Sequence, residues 1–191
     1  MAKILHFFCL WLILLISLPV VADSFTDRRA SVGIKLFRSM LVSNTTYLNK
    51  VTHSGELHVK LIFIHSDRKA RVLAASLGPD LKALKGKPVV LEVVSLNAYL
   101  KSSETILGAF IVQKMDGVNL KAVIDKSILD QTLLFSPFEG DVEKGVFGGI
   151  SVESKVRPFI NIDTLKKSKI TLKAFYLRVS KKHETQHENQ T

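Results

Sequence analysis

Apolar positions along this chain fall into short clusters whose spacing changes from one segment to the next. The first is a continuous run, Ile4 to Leu18, interrupted only by His6, Cys9 and Ser17 before Pro19 breaks it. From Asp27 to Met40 the spacing is helical. Ala30, Ile34, Phe37 and Leu41 recur at i, i+4, i+7 and i+11, with Arg28, Arg29, Lys35 and Arg38 mostly off that face. Ser43-Asn44-Thr45-Thr46 ends this helix with side chains that compete for backbone hydrogen bonds. Leu57 to His65 starts with alternation and becomes continuous at Leu61-Ile62-Phe63-Ile64, the pattern of a strand buried on both faces. Ser66-Asp67 then offers a cap to a short helix carrying Ala70, Leu73, Ala74 and Leu77, and Gly78-Pro79 stops it.

The same rhythm repeats. Val89 to Val94 predicts a second buried strand, Asn97 to Lys101 a helical turn, and Ile106 to Val112 a third strand. Gly117 to Asp130 predicts a helix with Leu120, Val123, Ile124 and Ile128 inward, and Thr132 to Phe135 a fourth strand. After Phe147-Gly148-Gly149 the period drops to two, with Ile150, Val152, Val156 and Ile160 apolar, which predicts a strand or hairpin with one wet face. Pro158 pushes the end of that element toward a sheet edge. Asn161 can cap a short helix through Lys167, and Leu172, Phe175, Tyr176 and Val179 predict a closing amphipathic helix. Lys181 to Thr191 is polar and is expected to fray.

Strands alternating with helices predict an α/β fold. It is read as a single domain with a mostly parallel central sheet, helices on both faces and a C-terminal amphipathic helix. Three segments are expected: 1–22 as a secretory signal peptide, 23–182 as the α/β domain and 183–191 as a polar flexible tail. The signal reading rests on order: a basic start at Lys3, the apolar run, then Val20-Val21-Ala22 as a cleavage site. Cleavage after Ala22 would leave 169 of the 191 residues and carry away Cys9, the one cysteine of the chain. Thiol chemistry and a disulfide framework are thereby excluded from the mature domain.

Composition changes this picture only in its electrostatics. The chain is 47% hydrophobic and 23% charged, with a net charge of +10. That is globular composition and excludes a disordered tail protein. Export and the dispersed lysines argue against nucleic acid, and leave attraction to an anionic membrane surface or an acidic partner, or simple solubility.

Candidate chemistry is sparse. His183-Glu184-Thr185-Gln186-His187 matches H-E-x-x-H letter for letter, but it stands in a terminal tail, so a solvated tail is expected there. Glu139, Asp141 and Glu143 alternate in a loop that a hard cation could use, with a solvated turn as the simpler reading. His58 and His65 fall on opposite strand faces by parity. No nucleophile elbow, P-loop or G-x-G-x-x-G is present. The expectation is therefore no enzyme, with no catalytic, cofactor-binding or metal residues. Asn44-Thr45-Thr46 is a glycosylation sequon, relevant only in a eukaryotic secretory host.

The string Ser136-Pro137-Phe138-Glu139-Gly140-Asp141-Val142-Glu143, then Gly148-Gly149-Ile150, then Val156-Arg157-Pro158-Phe159-Ile160-Asn161, resembles the YfiR-like family of bacterial periplasmic proteins. Leu165, Ile170, Leu172 and Leu177 extend the likeness. The resemblance implies a periplasmic regulator that binds the periplasmic part of a membrane-bound diguanylate cyclase, or of a sensor kinase, and holds it inactive. Release would raise cyclic di-GMP and favour biofilm. On this reading Phe138, Glu139, Asp141, Arg157 and Phe159 contact the partner, no cofactor is needed and a homodimer is left open. For Phe159 and Asn161 the plainer roles are a core residue and a helix cap. The alternatives from other classes are a periplasmic small-ligand-binding module at the carboxyl ends of the strands and an envelope hydrolase using the acidic loop.

Overall fold

The computed structural model describes residues 20–184, those before Arg28 by backbone alone. Most of the expected signal peptide and residues 185–191 of the expected tail lie outside the described residues. Helix α1 (Val20–Ser43) is followed by strand β1 (Leu57–Phe63), α2 (Arg68–Leu77), β2 (Ala83–Leu84), β3 (Lys87–Ser95) and α3 (Leu96–Lys101). Then come β4 (Gly108–Ile111), α4 (Gly117–Leu129), β5 (Leu133–Phe135), β6 (Gly148–Val152), β7 (Val156–Asn161), α5 (Ile162–Ser168), α6 (Ala174–Val179) and β8 (Lys181–His183). Among the described residues no helix is long and apolar enough to cross a membrane.

Among the described residues eight strands form one sheet, in the order β2-β3-β1-β4-β5-β6-β7-β8. Strands β3, β1, β4, β5 and β6 run parallel, β7 is antiparallel to β6, and β8 is parallel to β7. Helices α1, α2 and α6 cover one face and α3, α4 and α5 the other. This is the α/β architecture that the alternating pattern predicts, with the chain leaving β1 one way and β4 the other.

The helical face predicted for α1 is the one buried. Ile34, Phe37 and Leu41 are 2% exposed or less, and Met40 joins them. Phe37 packs on Phe110 and Phe135 at centroid distances of 5.6 and 5.9 Å, while Phe110 and Phe135 stack at 5.6 Å. The helix lies close to β4 because Gly108 has no side chain; a Cβ there would stand 2.5 Å from Leu41 Cδ2. The turn after α1 forms as the polar tetrad predicts, with Asn44 Oδ1 accepting from Thr46 N at 2.8 Å. Asn44 is 1% exposed, so the sequon is closed to a glycan in this fold.

Four expectations need correction. Val89–Val94 is half-buried rather than fully buried, because β3 stands next to the end of the sheet. The closing helix is only six residues long, and it buries Tyr176 while leaving Phe175 70% exposed. The chain does not fray at Lys181: Lys181–His183 pairs with Phe159–Asn161 as an edge strand. Finally, β7 is an edge only before Phe159, where β8 begins; Pro158 sits in that open part, as its missing N–H requires.

One polar cluster lies within the sheet. Lys60, 4% exposed on β1, bridges Glu92 of β3 (2.6 Å) and Glu104. Burial pulls the Lys60 pKa down, but its hydrogen bonds to Glu104 and Glu92 outweigh this and the net shift is upward. The Glu104 carboxyl is held below its usual range, chiefly by the Lys60 hydrogen bond. A lowered carboxyl pKa stabilises the fold above the ordinary value of 4.5 and stops doing so as pH falls through the folded value. Glu104 is 54% exposed, so solvent screens the effect. Thermal melts of wild type and Glu104→Gln should differ modestly near neutral pH and converge in acid; a constant gap down to pH of about 3 would refute the linkage.

Candidate functional site

Open α/β sheets bind outside the carboxyl ends of their parallel strands, where the connections diverge. Here that rim is built by the connections after β1, β4 and β5. Between β1 and β4 the crevice is stitched by Gln113. Its Oε1 accepts from the N–H groups of Ile64 (2.8 Å) and His65 (3.0 Å), and its Nε2 donates to the Ser66 carbonyl (2.9 Å).

The long connection from β5 to β6 is held by one buried carboxylate. Asp141 is 0% exposed; its Oδ1 meets Lys114 Nζ at 2.6 Å and its Oδ2 accepts from Ser136 Oγ at 2.6 Å. Lys114 also donates to the Glu139 carbonyl at 2.9 Å. The connection then packs onto bare backbone of β6. A Cβ on Gly149 would lie 2.6 Å from Val142 Cγ2 and 2.9 Å from the Ser136 carbonyl oxygen, so only glycine permits this approach. Asn161 closes the far side: its Nδ2 donates to the Val142 carbonyl (2.8 Å) and its Oδ1 caps α5 at Thr164 N (2.9 Å).

The folded connection leaves a cavity of about 130 Å³ against β6 and β7. Phe138 and Phe159 are its aromatic walls, Glu139, Glu143 and Glu153 line it with carboxylates, and Arg29 and Lys181 with cations. Arg29, on α1, donates through Nε to the Pro137 carbonyl and through Nη2 to the Ile150 carbonyl at 3.3 Å. Lys181 sits 5.1 Å over the Phe159 ring and 3.0 Å from Glu153. Glu153 also binds Arg157 at 2.7 Å; together Lys181 and Arg157 hold its carboxyl below the usual range, the Lys181 hydrogen bond most.

Three of the five residues expected to contact a partner therefore meet at one cavity: Phe138, Glu139 and Phe159. Arg157 is exposed on the flank and reaches the cavity only through Glu153. Asp141 needs correction. It is buried and committed to Lys114 and Ser136, so it shapes the loop instead of meeting a partner. The same geometry separates Asp141 from Glu139 and Glu143, which are exposed, so the three carboxylates do not converge on a cation. Ser136 is buried and donates to a carboxylate, which ties up its hydroxyl. His183 lies on a strand, so it cannot begin the metal-binding helix that H-E-x-x-H requires, and His187 is outside the described residues.

Arg29, Glu153 and Lys181 escaped sequence reasoning. Arg29 reads only as the polar side of a helix, and its carbonyl partner is 108 positions away. Lys181 opens a polar terminal stretch whose sequence carries no period. A second cluster was also missed: His58, Glu92 and Glu104 bring one ligand atom each within 4.8 Å of one another. The cation between those carboxylates is the chain's own Lys60 ammonium, and a metal ion would have to displace it.

No protein-family model matches the chain, and no characterised protein matches it in sequence. Among solved structures it is similar to the ABC domain in complex with L-Trp from Streptococcus pneumonia. The TM-score is 0.51 at 10% identity, over 81% of this chain and 61% of that one. The chain thus spans about three fifths of that protein's length, and at this identity the likeness concerns the α/β fold alone.

Proposed function

We propose that this chain is an exported regulatory binding protein. Its carboxyl-edge face docks on the periplasmic part of an inner-membrane signalling enzyme, a diguanylate cyclase, and holds that enzyme inactive. The observation that carries the reading is the cavity where Phe138, Glu139 and Phe159 meet beside Arg157. Its volume of about 130 Å³ is close to the roughly 150 Å³ that accepts a benzene ring, and below the ~300 Å³ where small-molecule sites begin. It suits one anchoring side chain of a partner, ringed by charges that fix orientation. Repression requires that the docked state be preferred by several kcal/mol, which a few such anchors can supply.

A small-ligand-binding module is the second reading. It is favoured by the position at the carboxyl ends of the strands and by the complex with L-Trp in the structural neighbour.

Co-purification from the envelope fraction at low salt separates the two. Recovery of a membrane cyclase is the expected result. Phe138→Ala should then weaken binding roughly 30-fold, the scale of a buried aromatic anchor, and Arg157→Ala less than about 5-fold as a flank charge. No membrane partner, together with a thermal shift on adding free amino acids, would replace the regulatory reading with the second one.

A further inference from the structure

β3 is apolar on both faces, the pattern of a strand with cover on every side, yet it is only half-buried along its length. β2 pairs with it only at Lys87 and Pro88, and one further bond joins Val89 N to the Lys82 carbonyl at 3.0 Å. Backbone groups alternate sides along a strand. Leu91 and Val93 therefore turn their N–H and C=O outward as Val89 does, and among the described residues nothing pairs with them there. A groove with Leu91, Val93 and Ala74 along it and Arg71 at its rim follows this edge. Proteins blunt open edges with charge, proline or brevity. The opposite edge, β8, does so with three residues of which two are lysine. Beyond Pro88, the one charged side chain of β3 is Glu92, and its ion pair with Lys60 of β1 draws it back over the sheet.

We infer that β3 pairs antiparallel with β3 of a second copy of this chain, across a two-fold axis through Val93. The free window decides both occupant and register. β2 occupies the edge as far as Val89 and α3 begins at Leu96, leaving Leu91–Ser95, which is symmetric about Val93. Two-fold pairing there sets Val93 against Val93 of the second copy and Leu91 against Ser95. Opposed residues share a face, so Glu92 meets Val94 and not another Glu92. An axis through Glu92 would oppose like charges, and one through Leu91 would need the Val89 N–H that Lys82 already holds. The strand thus matches itself in length, polarity and hydrogen bonding, and an isologous contact closes both free edges at once. The contact is apolar and joins two chains of net charge +10, so salt should strengthen it by screening their repulsion. This inference does not depend on the regulatory reading.

With Cys9→Ser and Val93→Cys, the full chain carries one thiol, at the proposed axis. Opposed Cα atoms of a hydrogen-bonded antiparallel pair are about 5.5 Å apart, within disulfide range. Light scattering of the wild type should give twice the mass of one protomer, with the dimer fraction rising with salt. Mild oxidation should lock the Val93→Cys variant as a covalent dimer, while Val90→Cys, in the same Cys9→Ser background, should cross-link poorly. Val93→Pro removes an outward N–H without touching the β1 side, and should give a folded monomer. Should that variant not fold, amide exchange in the wild type decides: Leu91 and Val93 should be protected at high concentration and exposed on dilution. A monomer at every concentration and salt, or a dimer whose Val93→Cys form resists cross-linking, overturns the inference.

Discussion

Asp141→Ala is expected to destabilise the chain by about 3–5 kcal/mol, the usual cost of removing one partner of a buried charge pair. The magnitude follows from what the carboxylate holds. It accepts from Ser136 Oγ and Lys114 Nζ within an interior where it is 0% exposed. Truncation leaves the serine hydroxyl without an acceptor, frees the lysine and opens a void under the β5–β6 connection. Lys114 is 47% exposed and can return to water, which places the effect nearer the lower end of the range. The loop that carries Phe138 and Glu139 would lose its anchor, so partner binding should fall together with the melting temperature. Urea unfolding followed with binding measured below the transition tests both. Unchanged stability with lost binding would mean that Asp141 meets the partner directly.

Phe37→Ala should cost about 3–5 kcal/mol, the range for deleting a buried phenylalanine. Phe37 is fully buried and touches both rings of the Phe110–Phe135 stack, so its loss removes two aromatic contacts and leaves a void between α1 and the sheet. Neighbouring Leu41 already presses on Gly108, and the parallel strands below are fixed by their ladder, so little can collapse into the space. Phe37→Leu should recover more than half of the loss. Calorimetric melting checks both; a cost below about 1 kcal/mol for Phe37→Ala would mean that α1 repacks freely.

The elements were legible wherever one period ran long enough. The face of α1 emerged from Ala30, Ile34, Phe37 and Leu41 because a helix buries the same stripe wherever it packs. Asn161 was legible as a cap because capping is local: the acceptor and Thr164 N are three residues apart. The closing helix is shorter than its spacing predicts, because Phe175 and Val179 continue a period that only Leu172 and Tyr176 use. β8 gave no signal at all. Three polar residues carry no period, and they pair because β7 presents an open edge, which is a fact about the sheet.

The candidate site divides the same way. Phe138, Glu139 and Phe159 belong to the string that carries the family resemblance, and the fold brings them to one cavity, while Asp141 from the same string turns inward. The α/β alternation, the inward stripe of α1, the cap of α5 and the net positive charge follow from local pattern and composition alone. Period and composition state what each segment needs to bury. They do not state which segment will cover it. That Arg29 reaches Pro137, that Lys181 closes over Phe159, and that β3 keeps an open edge among the described residues emerges from the packed fold, because each depends on elements far apart in the chain.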